Sequence, residues 1–146
     1  METEHPTPTA PCLCNALRQA SRSVTRLYDD ELRALGLRTT QYSLLRHLSR
    51  AGEIRQRDLG ERTLIDETTL TRNLAPLVKH GWVAIRSGED RREKLVRITD
   101  AGTAKMKEAG PAWERAQGRM RALLPVGAWQ NLLTILPDVA RLTAEA

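Results

Sequence analysis

The sequence predicts a mainly α-helical fold with one small β-hairpin, and three observations predict it. Apolar residues recur at intervals of three and four through most of the chain, which is the helical period. Only residues 82–87 and 94–99, on either side of the charged run Gly88-Glu-Asp-Arg-Arg-Glu93, look like a strand pair. A length of 146 residues is enough for one core of ordinary size without disulfide or metal staples.

The elements follow in order. Residues 1–11 place Pro6, Pro8 and Pro11 among Thr and Glu, too little apolar content to offset ordering entropy, so a flexible N-terminal arm is expected. From Leu13, the positions Leu17, Ala20, Val24, Leu27, Tyr28, Leu32 and Leu35 give one long helix that Gly36 ends. Thr39 or Thr40 is placed to cap a second helix with the stripe Tyr42, Leu44, Leu45 and Leu48, stopping at Gly52. A short helix covers Gln56 to Arg62. Asp66 then caps a fourth, in which Leu70, Leu74, Leu77 and Val78 form the inner side and Thr68, Thr69, Arg72, Pro76 and Lys79 point outward. Pro76 lacks an N–H and crowds the Arg72 carbonyl, at up to ~3 kcal/mol. Either a local bend or compensating packing at Leu74 and Leu77 accounts for it. Asp100 is a candidate cap for a helix to about Leu124. Pro125 separates it from a last helix with the stripe Val126, Trp129, Leu132, Leu133, Leu136, Val139 and Ala140.

Two helices joined by a tight turn, the second carrying polar residues in its first turns, make a helix-turn-helix, and the hairpin behind it makes a wing. Residues 36–99 are therefore expected to form a winged helix-turn-helix DNA-binding domain. The helices of 12–35 and 100–146 are too apolar on their free faces to stand alone and are expected to form a helical dimerisation region.

Composition narrows the partner. The net charge is +5, carried mostly by Arg, which suits forked contacts to phosphate. The 3% aromatic share and the lack of Phe argue against platforms that stack single-stranded bases, leaving duplex DNA. No apolar run approaches the ~18 residues of a membrane span, and the start Met1-Glu-Thr-Glu-His-Pro lacks a leader pattern. A cytoplasmic protein without membrane contact is expected. The sequence holds no Gly-rich phosphate loop, HExxH, nucleophile elbow or Cys/His metal spacing, and His5, His47 and His80 are scattered. It is expected to be neither an enzyme nor a cofactor or metal binder.

Thr68, Thr69 and Arg72 are the candidates for base edges, since a Thr methyl meets the thymine methyl and an Arg fork matches guanine. Thr71 and Asn73 lie on the helix flanks, where phosphate contacts position without reading sequence. At the wing tip, Arg92 is placed to enter a minor groove with Asp90 holding its guanidinium in a forked pair, while Arg91 and Lys94 meet phosphates. Arg55, Gln56 and Arg57 are generic phosphate candidates. A basic face for an acidic protein partner is the competing class. Cys12 and Cys14 stand at the start of the first helix, where unpaired N–H groups favour a thiolate. A redox switch, most easily through a bond between subunits, competes there with plain packing of small buried cysteines.

Five segments together resemble the MarR family of bacterial transcriptional regulators: Gln41-Tyr-Ser-Leu-Leu45, Thr69-Leu-Thr-Arg72, His80-Gly-Trp-Val83, Asp90-Arg-Arg92 and Val96-Arg-Ile-Thr-Asp-Ala-Gly102. The resemblance runs from Cys12 to about Leu142. It implies a homodimer with intertwined helical termini and two winged domains on the halves of an inverted-repeat operator, usually acting as a repressor. It also implies release from DNA by a small anionic aromatic or phenolic inducer, or by oxidised cysteines in other members. Arg22 or Arg26, Tyr28, His47, Trp113 and Met120 are the candidates for lining such a ligand pocket.

Overall fold

The structure, a computed structural model, describes residues 10–146, so nearly all of the expected N-terminal arm lies outside the described residues. The first helix, α1 (Leu13–Leu32), tightens into a 3-10 turn (Arg33–Leu35). Gly36 closes it at a φ of 70°, the left-handed geometry that a glycine C-cap supplies without strain. In α2 (Thr39–Ala51) the N-cap is Arg38, not Thr39 or Thr40. The reason is that the donors are satisfied from elsewhere: Asp29 of α1 accepts the Thr39 N–H at 2.7 Å, and Gln41 accepts the Arg38 N–H at 3.0 Å.

Next come β1 (Ile54–Arg55), α3 (Gln56–Thr63), α4 (Glu67–Lys79), β2 (Val83–Ser87) and β3 (Lys94–Ile98). The strands form one antiparallel sheet in the order β1-β3-β2, with Ile85 opposite Val96 and Val96 opposite Ile54. Two strands were expected. The third has only two residues, too few to show alternation in a sequence. The chain then forms α5 (Asp100–Leu123) and α6 (Ala128–Ala144). The cap of α5 is Thr99, one residue before the expected Asp100. Its hydroxyl accepts the Gly102 N–H at 3.0 Å and donates to the Gly81 carbonyl at 2.6 Å, joining the helix start to the wing.

The core lies where α2, α3 and α4 meet the sheet, around Leu44, Leu45, Leu48, Leu59, Leu70, Leu74, Leu77, Val83 and Val96. Burying each leucine supplies about 1.5–3 kcal/mol. The expected inner stripe of α4 holds at Leu70, Leu74 and Leu77, but Val78 is 40% exposed. At 100° per residue it falls about 80° from Leu70, on the rim of the stripe. The described helix continues through Pro76, as α5 does through Pro111 and α6 through Pro137. The carbonyls left without a helical donor belong to Arg72, Lys107 and Leu133, all exposed residues where water can take the bond.

The first helix lies along α5, whose Ala109, Ala112 and Ala116 are buried, small side chains that let the helices approach closely. Glu31 of α1 binds Arg115 and Arg119 of α5, each at 3.1 Å, and the Tyr28 hydroxyl donates to Gln117. By contrast, α6 buries no residue and makes no substantial contact with another element. Among the described residues, no helix is long and apolar enough to cross a membrane.

A Cβ on Gly102 would run into the Trp82 carbonyl and come within 2.8 Å of the Ile98 side chain. Gly102→Ala is therefore expected to lower stability by roughly 1–3 kcal/mol, the usual penalty of overpacking. Urea unfolding of the variant beside the wild type measures it, and an unchanged midpoint would show that the close approach is not needed.

Candidate nucleic-acid interface

The outer face of α4 is defined by what its inner face buries. With Leu70, Leu74 and Leu77 turned into the core, Thr68, Thr71, Arg72, Ala75 and Lys79 are exposed, and Thr69, Asn73 and Pro76 are half-buried. The helix start is fixed by Asp66. One of its carboxylate oxygens accepts the Thr69 N–H at 2.9 Å and the other the Thr69 hydroxyl at 2.7 Å. These two bonds, the backbone one first, hold the Asp66 carboxyl below its ordinary range. Thr69, expected at base edges, has thus committed its hydroxyl hydrogen to the cap. Its methyl and lone pairs are what it retains. Thr71 accepts a hydrogen bond at 3.0 Å from Gln56 at the start of α3.

The wing is a five-residue ladder from Val83 opposite Ile98 to Ser87 opposite Lys94. Its tip is closed by the Gly88 N–H on the Glu93 carbonyl and the Glu93 N–H on the Asp90 carbonyl, both 2.9 Å. The expected forked pair between Asp90 and the Arg92 guanidinium is not formed. Asp90 instead accepts the Arg92 backbone N–H at 3.1 Å, because a short acidic side chain in a tight turn reaches its own backbone two residues on more easily than a long, solvated guanidinium. Asp90 still shapes the tip, through the main chain.

Cations divide into two groups. Arg55 pairs with Glu93 at 3.4 Å, Arg57 with Glu61 at 3.6 Å and Arg86 with Glu53 at 2.6 Å, all exposed pairs of small energetic weight. Among the described residues, Arg72, Lys79, Arg91, Arg92 and Lys94 form no ion pair, and all five are exposed. Between α3, the start of α4 and the wing lies an open cleft of about 1150 Å³, with Arg57, Asp66, Asp90, Arg92 and Lys94 on its walls.

A second, smaller cleft of about 200 Å³ lies between α2 and α5, lined by Tyr42, Ser43, Arg46, His47, Arg50 and Trp113. The Arg46 guanidinium stands 4.3 Å from the Trp113 ring centre, and the Tyr42 ring 6.3 Å from it. Partial loss of solvent, then the charges of Arg50 and Arg46, pull the His47 imidazole below its ordinary range. Of the residues expected in a ligand pocket, the structure brings His47 and Trp113 together. Arg22 and Arg26 are exposed on α1, Tyr28 is bonded to Gln117, and none of these, nor Met120, lines this cleft. Sequence reasoning missed Tyr42, Arg46 and Arg50. Their spacing of four along a helix, putting an aromatic and two cations on one stripe, was the available signal. Cys12, the N-cap of α1, and Cys14 are both exposed in the single chain.

A capped helix with a polar outer face, preceded by α3 across a short turn and followed by a two-stranded wing, defines the winged helix-turn-helix class. The sequence matches the profile described as "MarR family" over residues 35–93. It is 32% identical over 96 residues to the uncharacterised HTH-type transcriptional regulator YwoH of Bacillus subtilis, a match covering 66% of this chain and 70% of that one. The fold superposes on the M. tuberculosis transcriptional regulator MosR in complex with DNA with a TM-score of 0.82 and 30% identity, covering 92% of this chain and 98% of that one. It is also shared with wild-type apo MarR from E. coli, at a TM-score of 0.71 and 23% identity over 89% and 98% of the two chains, a likeness of fold alone. The chain belongs to the MarR family of transcriptional regulators, which are not enzymes.

The Asp66 cap carries a pH signature. Its carboxyl is held low in the folded state, so its stabilisation is fully present above the ordinary aspartate range and is lost as pH falls through the depressed value. Asp66→Ala is expected to melt below the wild type at neutral pH, the gap closing in acid. Thermal melts across that range test it, and a pH-independent gap would place the effect elsewhere.

Proposed function

We propose that this MarR-family regulator binds double-stranded DNA as a homodimer, one α4 in each of two successive major grooves of an inverted repeat, and represses transcription there. The observation that carries it is a group of exposed cations without an ion pair on α4 and the wing, Arg72 and Lys79 on the helix and Arg91, Arg92 and Lys94 on the hairpin. Thr68 and Arg72 meet base edges, with Thr69 contributing its methyl. Thr71, Asn73, Arg91 and Lys94 meet phosphates, Arg92 enters the minor groove, and Asp90 holds the tip in shape. Residues 36–99 form the DNA-binding unit, with 12–35 and 100–146 the dimerisation region. Support for a second copy comes from α6, whose Leu133 and Ile135 are 54% and 56% exposed with no neighbouring element to cover them. A basic face docking an acidic protein is the less favoured class, since α4 offers short hydroxyls sized for a groove.

The α2–α5 cleft supports release by a small inducer. Two arginines, a tilted pair of aromatic rings and about 200 Å³ suit an anionic aromatic or phenolic compound of small size. The exposed Cys12 and Cys14 support a thiol-based alternative in which an oxidant joins the subunits.

The experiment is selection of genomic fragments by the purified protein, then binding to the selected duplex. The expected particle is twice the 16.4 kDa of one chain, on half-sites about 34–36 Å apart. With about six phosphates neutralised, affinity should fall by roughly three orders of magnitude between about 50 and about 200 mM salt. Arg72→Ala should lose about 1–3 kcal/mol of discrimination at one base position. A salt-insensitive affinity, or a variant with unchanged preference, would contradict this assignment.

The two triggers separate in one further measurement. If a ligand acts, Arg46→Ala is expected to blunt release by salicylate-type anions at least severalfold, while mild oxidant leaves the complex intact. If thiols act, oxidant releases the wild type but not a Cys12→Ser, Cys14→Ser variant.

A further inference from the structure

Gln56 is the one buried polar side chain among the described residues, 9% exposed, and it sits at the exposed end of the core, as the first residue of α3. Its amide nitrogen donates to the Thr71 hydroxyl oxygen at 3.0 Å, across 15 residues of sequence. Three other helical threonines show the alternative open to Thr71. Thr63, Thr134 and Thr143 each donate their hydroxyl hydrogen to the carbonyl four residues back, at 2.7, 2.9 and 2.8 Å. Thr71 makes no such bond to Glu67, and its oxygen is an acceptor for Gln56. Among the described residues its hydrogen is therefore uncommitted, on an exposed side chain. An oxygen that already accepts one hydrogen bond becomes a better donor of its own hydrogen.

Position decides what that hydrogen faces. At 100° per residue Thr71 lies about 90° from the buried centre of α4, on the flank toward α3, whereas Arg72 and Lys79 lie opposite the core. A flank residue of a helix lying in a groove meets the sugar-phosphate wall. We propose that Gln56 is a positioning residue: its amide fixes the Thr71 hydroxyl as a hydrogen-bond donor to a phosphate oxygen of the duplex. The pair thereby ties the register of α4 in the groove to α3, because Gln56 and Thr71 move only together. Without the amide, the Thr71 hydroxyl turns to the Glu67 carbonyl, as those of Thr63, Thr134 and Thr143 turn to theirs, and the donor is lost. This rests on the DNA-binding mode proposed above.

The test compares wild type, Gln56→Met, Thr71→Val, the double variant and Thr71→Ser by fluorescence anisotropy on the selected operator and on an unrelated duplex at low salt. Gln56→Met and Thr71→Val are each expected to weaken binding to both duplexes roughly tenfold, the weight of one bond to a charged acceptor. The double variant should be no weaker than either single one, and Thr71→Ser, which keeps the donor, should bind like wild type. Thermal melts accompany each variant. Should Gln56→Met fail to fold, the exposed Thr71→Val and Thr71→Ser pair still decides. Wild-type affinity in Thr71→Val, losses that multiply in the double variant, or a loss confined to the operator would each overturn the inference and leave the binding mode standing. A wild type that retains no duplex would overturn both.

Discussion

The arrangement depends on one constraint, the burial of a single leucine stripe. Leu70, Leu74 and Leu77 are at most 1% exposed, locked against Leu44, Leu45 and Leu48 of α2 and Val83 and Val96 of the sheet. A close-packed interior allows α4 no rotation about its axis without opening voids. The outward direction of Thr68, Arg72 and Lys79 is thus not a property of those residues. It is the complement of where the leucines must go. Fixing the helix start adds the second coordinate, since Asp66 ties the first turn to its own loop and Gln56 ties the second to α3. Rotation is held by apolar packing, and the position of the exposed face by three polar bonds.

The same division runs through the rest of the chain. Apolar burial decides which elements touch, and polar bonds decide how their ends are joined. Asp29 of α1 satisfies the first N–H of α2, and the Thr99 hydroxyl joins α5 to the loop before the wing. Glu31 bridges α1 to α5 through two arginines, a more definite geometry than a lone exposed pair provides. Each bond links an element of the terminal helices to the next or to the winged unit. A displacement of α1 or α5 therefore reaches α2 and the wing through defined joints.

Much of this was legible in the sequence, and what was not has a physical reason. Long apolar periods located α1, α2, α4, α5 and α6, and Gly36 and Asp66 marked their ends, because these signals depend only on local geometry. The cap of α2 could not be found, since its donors are satisfied by Asp29, ten residues away in another helix. The strand β1 was missed because two residues carry no period. Val78 was misplaced because a residue on the rim of a stripe is buried or exposed according to its neighbour, not its own spacing. In the interface, the sequence identified which residue types face outward but not how they are bonded. That Thr69 is consumed by the cap, that Thr71 is engaged by Gln56, and that Asp90 meets a backbone N–H rather than a guanidinium are tertiary or turn-level facts. The lining of the α2–α5 cleft includes His47 and Trp113 but not Arg22 or Tyr28, because proximity along α1 is no guide to which face turns toward α2.

The position of α2 joins the smaller cleft to the leucine core under α4. One of its faces carries Tyr42, Arg46 and Arg50 against Trp113 of α5, and the other carries Leu44, Leu45 and Leu48 under α4. A molecule seated between α2 and α5 cannot touch the DNA-facing side directly. It can change affinity for a duplex only if its contacts differ between two placements of α2, and the coupling equals that difference and no more. Because Leu44, Leu45 and Leu48 are at most 1% exposed in the same core as Leu70, Leu74 and Leu77, α2 does not shift alone without opening voids. It carries α4 with it. Arg46 and Arg50 in the cleft and the leucines that aim α4 are thus neighbours on one helix, the shortest physical route this fold offers from that cleft to α4.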